Sequence, residues 1–136
     1  MATTTAAITI TSTDLLSDSL SLSTTSTLTK AGGAVGLDQT SGLGRVTRTS
    51  TGDYTVFAAA NYTDDNAHKL YLKNTSTTDS EYFEVKIGGT IIGRLYAGDW
   101  ALLPWSADTT STDADVVIAP SVSTTMTLEY MLIHDA

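Results

Sequence analysis

From position 68 onward the chain is written in period two. Leu70 and Leu72 share one parity ahead of the Asn74-Thr75-Ser76 tract, and Phe83, Val85 and Ile87 share one in the next run, with Glu84 and Lys86 between them. Successive side chains of a strand point to opposite faces, so this spacing gives strands with one buried and one wet face. Gly88-Gly89 separates Ile87 from Thr90-Ile91-Ile92, a two-residue hairpin signal. Arg94 to Trp105 reads as two apolar strands around a turn at Ala97-Gly98-Asp99, and Val116–Ile118 and Met126–Ile133 supply the last strands. Arg45–Thr49 and Tyr54–Ala58 read as two short strands across a turn at Thr51-Gly52-Asp53. Helix propensity never sums over a long enough window to compete. About nine strands with frequent turn signals predict an all-β chain, a single β-sandwich or jelly-roll-like domain.

The front of the chain differs in texture. Thr and Ser supply 40 of the 136 residues, and Ile8 and Ile10 alternate with Thr9 and Thr11 while Leu20, Leu22 and Leu28 recur at even spacing. β-branched Thr suits a pleated surface, so residues 1–30 read as an extended, strand-forming N-terminal arm, with a disordered Ser/Thr linker as the alternative. Residues 31–44 hold five glycines and read as a loop or joint; residues 45–136 form the expected core of one structural domain.

Composition narrows function mainly by exclusion. With no Cys, disulfides, thiolate catalysis and cysteine zinc sites are removed together. His68 and His134 lie far apart in sequence, and neither sits in a metal-binding spacing. Asp64-Asp65-Asn66 and the patch Asp108, Asp113 and Asp115 concentrate oxygen ligands without an EF-hand pattern, and read as solvated loops. The glycines at 32, 33 and 36 lack a following Lys-Ser/Thr, and Ser41-Gly42 is not a nucleophile elbow. Asn61-Tyr62-Thr63 and Asn74-Thr75-Ser76 match the glycosylation acceptor pattern, which a Thr-rich chain reaches by chance. A net charge of −8 opposes binding to a phosphate backbone, so nucleic acid is not an expected partner. The first positive charge is Lys30 and no apolar run approaches the roughly 18 residues of a membrane span, so neither a signal peptide nor a membrane partner is expected. The expectation is a non-enzymatic protein without cofactor or metal.

Tyr96, Trp100 and Trp105 are the exposed-aromatic candidates. Trp100 and Trp105 have opposite parity, which suits one core anchor and one subunit-interface anchor better than a flat sugar platform.

The runs Lys69–Asn74, Tyr82–Val85, Gly93–Trp105 and Leu128–Ile133 resemble small virion structural proteins of tailed bacteriophages, and Leu28–Gly32 with Gly36–Arg45 resembles those of marine and cyanobacterial phages. The resemblance implies a β-sandwich subunit displayed in many copies: a head decoration (cement) protein that binds the major capsid protein or other virion proteins, or else part of a tail or fibre. It implies a virion protein assembled in the host cytoplasm, self-associating as a homo-oligomer with a trimer favoured. Ile8, Ile10, Leu20, Leu22, Tyr96, Trp100 and Trp105 are the expected interface residues, and removing residues 1–30 is expected to leave a folded core that no longer docks. A tail or fibre module binding a receptor or glycan is the alternative. A third reading is an adhesin-like domain locked by an isopeptide bond from Lys69, Lys73 or Lys86, detectable as the loss of one ammonia from the intact mass.

Overall fold

The computed structural model describes residues 3–15, 17–63, 66, 68–108 and 114–135. Asp64, Asp65 and Asp113 of the two acidic patches lie outside the described residues. The chain is all-β: the described residues form eleven strands in antiparallel sheets and a 3-10 turn at Ala59–Asn61. The strands are β1 (Thr5–Ser12), β2 (Leu20–Thr27), β3 (Gln39–Thr40), β4 (Gly44–Arg48), β5 (Tyr54–Phe57), β6 (His68–Asn74), β7 (Tyr82–Ile87), β8 (Thr90–Tyr96), β9 (Trp100–Trp105), β10 (Val116–Pro120) and β11 (Met126–His134).

β1 and β2 pair with each other as a two-stranded sheet. A four-stranded sheet runs β5-β10-β7-β8, and a five-stranded one runs β3-β11-β6-β9, with β4 also paired to β11. β11 is thus flanked by β6 on one side and by β4 and β3, end to end, on the other. The two larger sheets fill one core: Leu70, Leu72, Leu128 and Leu132 from the five-stranded sheet, Phe83, Val85, Val116 and Ile118 from the four-stranded one. The parities that place Leu70 with Leu72 and Phe83 with Val85 are the buried ones.

Two expectations are corrected here. Arg45–Arg48 and Tyr54–Phe57 do not pair across the Thr51-Gly52-Asp53 turn; β4 joins β11 and β5 joins β10, so the turn carries the chain from one sheet to the other. The strand count is also higher than nine, because Gln39–Thr40 forms a two-residue strand inside the Gly-rich segment, too short for any periodicity to announce. The Gly88-Gly89 hairpin forms as read, and Gly88 alone of the pair has a positive φ, 59°, the demand of a type II′ turn at its first central position.

Candidate interaction surfaces and a cross-strand histidine pair

The β1–β2 ribbon is two strands thick. Its register sets Ile10 opposite Leu22, Ile8 opposite Thr24 and Ser12 opposite Leu20, so Ile8, Ile10, Leu20 and Leu22 share one face. Ile10 and Leu22 are each 48% exposed. The opposite face carries only Thr, Ser and Ala, and neither strand contains a charged residue. An isolated two-stranded hairpin is marginal in water, and free edges usually carry Lys, Pro or inward charge.

At its foot the ribbon is fixed firmly. The Leu28 amide donates to Thr4 O at 2.8 Å, the Leu37 amide to Leu28 O at 2.9 Å, and Leu28 and Leu37 are buried. Lys30 Nζ lies 2.7 Å from Asp38 and 3.0 Å from Asp135, and these two carboxylates hold the ammonium above its ordinary pKa. Downstream, the Ser41 amide donates to Leu132 O at 2.9 Å while its hydroxyl accepts the Leu132 amide at 2.8 Å. The Ser41 side chain therefore extends the β3–β11 ladder and is occupied by it.

Of the aromatic candidates, Trp100 and Tyr96 are exposed, 52% and 44%, on either side of the turn at residues 97–99. Trp105 is the core tryptophan: it is buried, and its indole N–H donates to Ala114 O at 2.7 Å. It is removed from the set of residues a partner could touch, and the three rings do not form one platform. Tyr96 packs instead on Tyr82, 5.3 Å between centroids, and Arg94 lies 4.6 Å over the Tyr82 ring while pairing with Glu84 at 3.0 Å.

The feature least visible in the sequence is the meeting of the two histidines. His68 and His134 are direct register partners on β6 and β11. Tyr62 sets its ring edge-on to both, at 5.7 and 5.4 Å, and Trp105 lies 5.1 Å from His68. His68 Nδ1 is 2.9 Å from Asn66 O and His134 Nδ1 is 2.5 Å from Asp135 O. A carbonyl only accepts, so each Nδ1 carries a proton, and the burial that lowers the His68 pKa favours its neutral ring with Nε2 as a lone pair. His68 Nε2 is buried and has no partner among the described residues. The rings are nearly parallel, 18° apart in plane, with their centroids 5.6 Å apart. Among the described residues no group of three His, Cys, Asp or Glu side chains could hold a metal.

Other polar groups are likewise engaged in the fold. Asn74 is fully buried; its amide nitrogen donates to Leu95 O at 3.0 Å and Glu81 O at 3.3 Å, and its Oδ1 accepts the Ser76 amide at 3.0 Å. That removes it as a glycan acceptor. Glu129 takes Arg45 Nε and Nη2 at 3.0 and 2.8 Å and the Tyr71 hydroxyl at 3.2 Å, and the guanidinium holds its carboxyl below the usual range. Lys86, one of the isopeptide candidates, pairs with Asp53 at 2.7 Å, and Asp115 Oδ1 accepts the Ala59 amide at 2.8 Å. Among the described residues no helix is long and apolar enough to cross a membrane.

Comparison of the chain with protein families, curated proteins and solved structures finds no match in any of the three.

Proposed function

We propose that this chain is a non-enzymatic virion structural protein of a tailed bacteriophage, a capsid decoration (cement) subunit that binds and stabilises the assembled head. In this reading the two larger sheets form a β-sandwich body, and the β1–β2 ribbon is an arm for docking on the major capsid protein or on further copies, with a trimer as the favoured state. The observation that carries it is the ribbon itself. A hairpin whose strands carry no charge, its carboxylates Asp14 and Asp18 confined to the segment that joins them, with Ile10 and Leu22 half exposed and its foot fixed by Leu28, Leu37 and Lys30, is a poor end state for a lone molecule and a suitable one for a subunit awaiting a neighbour. Repetition suits such a contact, since each bound copy stabilises a shell by mass action.

The deciding experiment is copy number per purified particle by quantitative mass spectrometry, normalised to the major capsid protein. A number commensurate with the capsid lattice supports the decoration role, and absence from particles rejects the virion reading. A few copies per particle would support the alternative, a tail or fibre module contacting a receptor or glycan through Tyr96 and Trp100, the exposed pair at the β8–β9 turn. Glycan-array binding lost in Trp100→Ala with the fold intact would establish that alternative.

A further inference from the structure

Two apolar surfaces of this chain are open, and they belong to opposite edges. One is the Ile8, Ile10, Leu20 and Leu22 face of the ribbon, whose foot is tied to Leu37 beside β3. The other is the seam where both larger sheets end, between β8 and β9. A groove of about 180 Å³ runs there, lined by Val85, Ile92, Leu95, Ala101 and Leu103 and by Gly93 and Arg94, whose guanidinium pairs with Glu84 at 3.0 Å. Beside it Ile91 and Ile92 are 53% and 50% exposed and Trp100 is 52% exposed.

The edges at this seam resist main-chain pairing. In β8 the register passes from Val85–Gly93 to Lys86–Ile91, leaving Ile92 as the extra residue of a bulge, and β9 carries Pro104. Bulges and proline are the devices that blunt an edge strand. An occupant of this seam is therefore held by apolar side chains rather than by added ladder bonds.

Charge points to which occupant. The chain carries −8, so two copies repel over most of their surfaces. The ribbon strands carry no charge at all, making them the part of a copy that another copy can approach without that opposition. Because the ribbon leaves from the β3 edge and the groove lies at the β8–β9 edge, pairing them joins the two different edges of successive copies, a head-to-tail contact that closes into a ring when the rotation permits.

Resting on the assembly-protein reading above, we propose that the apolar face of the β1–β2 ribbon of one copy packs into the β8–β9 groove of the next, building a closed ring of this chain. Size decides for a ring over a single contact. Eight residues at about 3.4 Å by two strands about 5 Å wide give a footprint of roughly 270 Å², or roughly 540 Å² counting both partners, well under the roughly 1,200 Å² of a stable isolated interface. Each copy must both give a ribbon and receive one.

The test uses the full chain in solution, which separates this contact from particle attachment. The chain has no cysteine, so the double variant Leu22→Cys/Ile92→Cys reports a single pair. Mild oxidation is expected to give covalent multimers, and sedimentation of the unmodified chain a closed oligomer that strengthens as salt rises. Ile10→Asp should keep its circular dichroism and weaken association by roughly 100-fold or more, since it places an unpaired carboxylate in the seam. A disulfide formed within one chain would show the ribbon folding onto its own groove and would overturn the proposal. So would a monomer at all concentrations, or an oligomer indifferent to Ile10→Asp; neither result bears on copy number in particles, which tests the virion reading separately.

Discussion

His68 and His134 face each other across β6 and β11 with their rings only 18° from parallel and their centroids 5.6 Å apart. Burial holds His68 below the ordinary histidine pKa; His134 and Lys69 push the same way, while the Asn66 carbonyl and Asp135 oppose it. The unfolded chain therefore binds the His68 proton first as pH falls from about 6.5. The stability that goes with the neutral ring is complete above that value and is lost as pH falls toward the lower folded value. Thermal midpoints should drop by on the order of 5 °C between about pH 7.5 and 5. His68→Phe should flatten that step. Glu129, depressed by Arg45, contributes stability that is lost only below the usual carboxylate range, so the two windows separate.

Trp105 and Trp100 should part company on truncation. Trp105→Ala opens a cavity in the shared core and strands the Ala114 carbonyl, and should cost about 3–5 kcal/mol in urea denaturation. Trp100→Ala, on a half-exposed ring, should stay within about 0.5 kcal/mol. Equal losses would mean that Trp100 is held by contacts within its own chain.

Asn74→Leu should be among the most damaging polar substitutions. It leaves the Leu95 carbonyl and the Ser76 amide without their partners, each worth about 1–3 kcal/mol when buried and unmet. A loss below about 1 kcal/mol in the same denaturation assay would show that water replaces the amide there.

Gly44 lies directly opposite Tyr130, and a Cβ built on it would stand 2.7 Å from the ring. Gly44→Ala should therefore destabilise by about 1–3 kcal/mol. Most of that should be recovered in Gly44→Ala/Tyr130→Leu, relative to Tyr130→Leu alone, in a double-mutant cycle.

Deletion of the ribbon should depend sharply on where the cut falls. Removing residues 1–27 keeps Leu28 and Lys30 and should leave the melting midpoint nearly unchanged. Removing residues 1–30 also takes away the buried Leu28 and both Lys30 ion pairs, and should lower it measurably. Calorimetry of the two truncations decides whether the ribbon's foot belongs to the body.

Alternation alone located most strands, because Leu70, Leu72, Phe83 and Val85 are buried on one face and their neighbours are not. It could not say that β4 and β5 join different sheets, since parity assigns faces and not neighbours. The same limit hid the histidine pair: positions 68 and 134 become partners only once β11 lies beside β6. Ile8, Ile10, Leu20 and Leu22 were legible as one apolar set, whereas their exposure depends on what the rest of the chain leaves uncovered. Asn74 stands in a chance glycosylation pattern and Ser41 in a Gly-rich loop, and no local signal distinguishes such residues from ones that replace missing ladder bonds.

β11 follows β3, β4, β6 and β9 in the chain, yet it is the strand that joins β3 and β4 to the β6–β9 pair. Among the described strands β3 and β4 pair with β11 alone, so these two segments stay unpaired until it is made, whereas β6 can pair with β9 beforehand. Such long-range pairing places folding in the slow, millisecond-to-second class of all-β proteins. A nascent chain of this protein thus emerges with the edges that β3 and β4 present still open. The five-stranded sheet is completed at the strand that holds its two sides together.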